Sequence, residues 1–81
     1  MLPTIGQRVR AAREKRGVSQ AELARQLEAS VNAINMLEQD KILDPRASRL
    51  IGVARVLRVS ADYLLGLKED IESERLATAV A

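Results

Sequence analysis

Apolar residues recur every three or four positions along most of this chain, the spacing of one buried face on an α-helix. Ile5, Val9 and Ala12 form the first such series, opened by Thr4-x-x-Gln7, a capping box, and closed by Gly17 with Val18 as its apolar partner. Ser19-x-x-Glu22 reads as a second capping box before Leu23, Ala24 and Leu27. Ser30 offers an N-cap for a third helix with Ile34 and Leu37 inward. Asp44-Pro45 suggests a cap followed by proline in the first turn, ahead of Leu50, Val53, Ala54 and Leu57. Ser60 caps a short segment in which Leu64 and Leu65 are expected to be buried. No window alternates as a strand would. The pattern predicts an all-α fold of five short helices at about 5–16, 20–27, 31–39, 46–57 and 61–66. Beyond them, Leu67 and Ile71 share a face, as do Leu76 and Val80, without joining in one stripe; a short sixth helix would fit there.

The third helix has an unusual outer face. At about 100° per residue, Ile34 and Leu37 mark the core side and Glu38 falls close to it. Asn32, Asn35, Met36 and Gln39 point away, and Val31 reaches forward from the first turn. An ordinary solvated face would carry Lys and Glu, whereas this one is amide-rich and uncharged. A short helix of this kind, set by a tight turn against another, suits a recognition helix in the DNA major groove. Asn and Gln pair bidentately with adenine, and Val31 and Met36 suit thymine methyls. No Arg or Lys on this face offers the common guanine contact. A polar surface helix without a partner, or one facing another protein, carries the same pattern.

Composition narrows the choice. With no Cys and no His, disulfides, thiolate zinc sites and the commonest general base are excluded. No run of about 18 apolar residues is present to span a membrane, and the first ten residues lack the apolar core of a signal peptide, so a cytoplasmic protein is expected. Residues 1–58 carry 11 Lys+Arg against 6 Asp+Glu, and residues 59–81 carry 2 against 5. A basic body with an acidic tail fits one surface that meets a polyanion. Tyr63 is the only aromatic residue, so the stacking platform of single-strand binders is missing and duplex DNA is the expected nucleic acid.

The segment "IGQRVRAAREKRGVSQAELARQLEAS", followed by "INMLEQDK", "DP" and "VLRVSADYLLGL", resembles the lambda-repressor-like helix-turn-helix family, also called the XRE or Cro/repressor family. The resemblance covers about residues 5–67 and rests on Arg13, Gly17, Ser19-Gln20, Glu22-Leu23-Ala24, Ser30, Ile34, Glu38, Lys41, Pro45 and Leu64-Leu65-Gly66 in register. It implies a compact five-helix DNA-binding domain at 1–67, with an acidic tail at 68–81. Val31, Asn32, Asn35 and Met36 match base-facing positions; Arg13, Ser19, Gln20, Gln39, Lys41 and Arg46 match positions near the DNA backbone. Arg13 and Glu38 match a buried ion pair. Bland alternatives stand beside these roles: Lys41 and Arg46 as solvated charges, Met36 as packing. Glu28, Asp40 and Arg58 stand where the family often has Gly, at a cost of about 1 kcal/mol each if φ is positive there. Ala12 replaces a usual Leu.

The resemblance thus implies a sequence-specific transcriptional regulator, a repressor acting as a homodimer on an inverted repeat of double-stranded DNA. One such module buries only about 600–1,000 Å² on DNA, which favours dimers. Tyr63, Leu67, Ile71 and Leu76 are the expected dimer contact, and the tail is a candidate surface for a protein partner. No cofactor, metal or catalytic group is implied. The rivals are an antitoxin that also binds its own operator, decided by a neighbouring toxin gene, and an interaction module that has lost DNA affinity, favoured by the uncharged third helix.

Overall fold

A computed structural model describes residues 3–68, and the apolar tail residues Ile71, Leu76 and Val80 lie outside them. The five elements are α1 (Ile5–Lys15), α2 (Gln20–Gln26), α3 (Val31–Glu38), α4 (Ala47–Leu57) and α5 (Ala61–Leu64). Each lies within two residues of its expected bounds. Val9, Ala12, Leu23, Ala24, Ile34, Leu37, Val53, Leu57, Val59 and Leu64 form one core drawn from every helix. α3 packs against both α1 and α2, while α4 and α5 close the far side. Among the described residues no helix is long and apolar enough to cross a membrane.

The helix starts follow their caps except at α4, and the second capping box is only half formed. Thr4 makes the full capping box, its hydroxyl accepting from the Gln7 N–H and its own N–H donating to Gln7 Oε1. Ser30 and Ser60 accept from the N–H groups three residues on. Ser19 does the same for Glu22, but Glu22 does not reciprocate, because its carboxylate is taken by Arg25 and Gln26. α4 departs further. Its N-cap is Arg46, extended at φ −65° and ψ 142°, with no side-chain cap bond. Pro45 therefore precedes the cap instead of filling the first turn, and Asp44 stands too far back to reach the helix end.

The helix ends share one solution. Gly17 (φ 70°), Glu28 (φ 55°), Asp40 (φ 58°), Arg58 (φ 58°) and Gly66 (φ 80°) all adopt the left-handed conformation. After α1 the Val18 N–H reaches back to the Arg13 carbonyl and the Gly17 N–H to that of Glu14, the paired bonds of a Schellman motif. The same pairing closes α2 through Ala29 and Glu28, and α3 through Lys41 and Asp40. The turn between α2 and α3 is thus regular although Glu28 occupies the strained position. α5 stops at Leu64 because Leu65 and Gly66 form such a cap; Leu65 is turned outward, 45% exposed, against the expectation that it is buried.

Candidate nucleic-acid interface

Three helices converge on the Glu38 carboxylate. Arg13 of α1 donates through Nε to Oε2 at 2.6 Å and through Nη2 to Oε1 at 3.1 Å. Gln20, the first residue of α2, donates to Oε1 at 3.0 Å. The remaining guanidinium nitrogen of Arg13 donates to the Val18 carbonyl, fixing the connection from α1 to α2. Only 12% of the Arg13 side chain and 3% of the Glu38 side chain are exposed. The hydrogen bond that Arg13 donates to Glu38 raises its pKa above the ordinary value against the opposing pull of burial. Arg13 and Gln20 are thus turned inward, and what they fix is the angle of α3.

With its inner side held there, α3 presents the residues singled out from the sequence. Val31 is 47% exposed and Asn32 and Gln39 are exposed; Asn35 and Met36 are half-buried. Their polar groups are paired along the helix, Asn32 Nδ2 with Met36 Sδ at 3.5 Å and Gln39 Nε2 with Asn35 Oδ1 at 3.1 Å. These are weak or solvent-facing bonds, exchangeable for bonds to a base edge. Lys41 and Arg46 are exposed in the loop that follows. Ser19 is also exposed, with its hydroxyl engaged at the α2 cap.

Several contributors escaped sequence reasoning. Ser48 and Arg49 line a shallow cleft with Arg46 and Leu27 at the start of α4, which adds a cation to the same region. Arg8 is buried, its guanidinium 5.2 Å from the centre of the Tyr63 ring. Tyr63 is half-buried and packed against the core, while Leu67 is 72% exposed. Arg16 donates to the Leu57 and Arg58 carbonyls at 2.8 and 2.9 Å, finishing α4 from α1. Arg25, with help from Gln26, holds the Glu22 carboxyl down at about 2 on the outer face of α2. A lone Arg on a helix wheel does not signal the long-range contacts of Arg8 and Arg16.

Comparison with known proteins extends the picture. A family profile described as a helix-turn-helix domain matches residues 6–70. The HTH-type transcriptional regulator ImmR of Bacillus subtilis is 36% identical over 66 residues, which cover 82% of this chain and 51% of ImmR. The chain thus spans about half the length of that relative. Among solved structures, the P22 c2 repressor in complex with a synthetic operator is 31% identical with a TM-score of 0.74, covering 83% of this chain and 100% of the other. SinR in complex with DNA is 31% identical with a TM-score of 0.71, covering 75% and 97%. SinR in complex with SinI is 29% identical with a TM-score of 0.73, covering 95% and 76%.

Proposed function

Because the chain belongs to the helix-turn-helix domain family, we propose that it is a sequence-specific regulator that binds double-stranded DNA as a homodimer and represses transcription. That family is one of transcription regulators and not of enzymes. The observation that carries the proposal is the outer face of α3: uncharged, rich in amides and anchored from behind by the buried Glu38 junction. α3 enters the major groove. Val31, Asn32, Asn35 and Met36 face base edges, where the amides suit adenine and the apolar groups suit thymine methyls. Ser19, Gln39, Lys41, Arg46 and Arg49 meet the phosphates and supply affinity and register. The likeness to the P22 c2 repressor on a synthetic operator and to SinR on DNA supports this reading.

The homodimer would join through Leu67 and the tail beyond it, placing two copies of α3 about one helical turn apart on an inverted repeat. A protein partner at the same end is a second reading, favoured by the exposure of Leu65 and Leu67 and by the likeness to SinR in its complex with SinI. Selection of bound duplexes from a random pool separates the readings. An enriched inverted repeat with A·T-rich half-sites is the expected result; a pool that stays random would favour the protein partner.

A further inference from the structure

Asp40 follows the recognition helix, between two residues placed at the DNA backbone, where a free carboxylate would repel phosphate. Although Asp40 is exposed, its carboxylate is engaged by the start of α1. Oδ2 accepts from the Thr4 hydroxyl, and Oδ1 accepts from the Gly6 backbone N–H at 3.0 Å. Gly6 is the second residue of α1, so its N–H has no partner within its own helix. An acidic side chain from 34 residues away supplies that partner, at the end of α1 where the helix dipole favours negative charge. The approach is close. A Cβ at Gly6 would lie 2.5 Å from the Leu37 carbonyl and 2.7 Å from that of Glu38, so the start of α1 rests directly on the last turn of α3. Asp40 holds this contact at φ 58°, a conformation for which Asp is better suited than most residues but Gly is better still.

We infer that Asp40 is a positioning residue for DNA readout: its clasp on the first turn of α1 fixes the C-terminal end of α3 and withdraws a negative charge from the phosphate-facing segment. The Glu38 junction holds the inner side of α3, and the Asp40 clasp holds its end. Together they leave α3 without freedom to pivot, which base contacts need. The inference rests on the reading of α3 as the base-reading helix.

The test compares wild type, Asp40→Gly and Asp40→Asn as full chains, at a temperature where circular dichroism shows all three folded. Each is bound to the duplex enriched by wild type and to a scrambled duplex. Gly relieves the left-handed backbone while removing the clasp, so stability changes little and a general loss of fold does not mask the readout. The ratio of the two affinities should fall about fivefold or more in Asp40→Gly, the discrimination carried by one good base contact. Asn keeps an oxygen for Gly6 and a backbone suited to left-handed φ, and should hold the ratio within about twofold. Amide exchange reads the clasp itself: Gly6 should be protected in wild type and Asp40→Asn and exposed in Asp40→Gly. A ratio unchanged in Asp40→Gly with Gly6 exposed would overturn the inference alone. A wild-type chain with no preference for any duplex would instead remove the base-reading role of α3, and the inference with it.

Discussion

At the scale of single residues, Glu38 bears the most. It is acidic and buried, and three donors from two other helices satisfy it. Removing one partner of such a pair strands the other charge, so Glu38→Ala should cost about 3–5 kcal/mol. For a domain of this size that is a fall of some tens of degrees in melting temperature, at about 4–8 °C per kcal/mol. A loss under about 1 kcal/mol would mean that Arg13 finds water once Glu38 is gone. Glu38 was legible in advance because its helix-wheel position lies near Ile34 and because the family resemblance pairs it with Arg13. Asp40 was not. The sequence flags a non-glycine residue at a cap, but the direction of its side chain depends on Thr4 and Gly6, far away in the chain.

At the scale of elements, the helix ends decide how well this chain folds. Five ends use a left-handed residue and only two of them are glycine. Asp40 recovers some of its cost through its clasp. Among the described residues the Glu28 side chain meets no such partner, so Glu28→Gly should stabilise the domain by about 0.5–1 kcal/mol. Chemical denaturation measures this directly, and a destabilised variant would show that the Glu28 side chain does more than occupy the turn. The helices were readable because Thr4, Ser19, Ser30 and Ser60 are local signals, satisfied within three residues. The failures were non-local or competitive. Asp44-Pro45 looked like a start, but the cap falls two positions later, at the extended Arg46. Leu65 looked like core, but the closing turn at Gly66 faces it outward. Glu22 looked like half of a box, but Arg25 outcompetes the backbone.

At the scale of the whole molecule, a basic body carries α3, and among the described residues Leu65 and Leu67 at the C-terminal end join Val31, Leu43 and Ile51 as apolar side chains left exposed outside the five-helix core. Small domains seldom leave such residues unpaired with something. Sedimentation at tens of micromolar should therefore give a dimer, and deleting residues 68–81 should weaken binding to the selected duplex; a pure monomer would contradict the homodimer. The outer face of α3 and the family resemblance made the nucleic-acid class legible where composition and charge alone did not, while Tyr63, packed against the core beside Arg8, gives no reading of how two copies would join. The central claim is that α3 reads bases while the flanking cations hold phosphates, and one experiment separates those roles: binding of Asn32→Ala and Lys41→Ala to selected and scrambled duplexes across a salt series. Asn32→Ala should lose about 1–3 kcal/mol on the selected duplex only, with the salt slope unchanged. Lys41→Ala should weaken both duplexes alike and lower the slope by about one unit. Equal losses on both duplexes for Asn32→Ala would contradict the account.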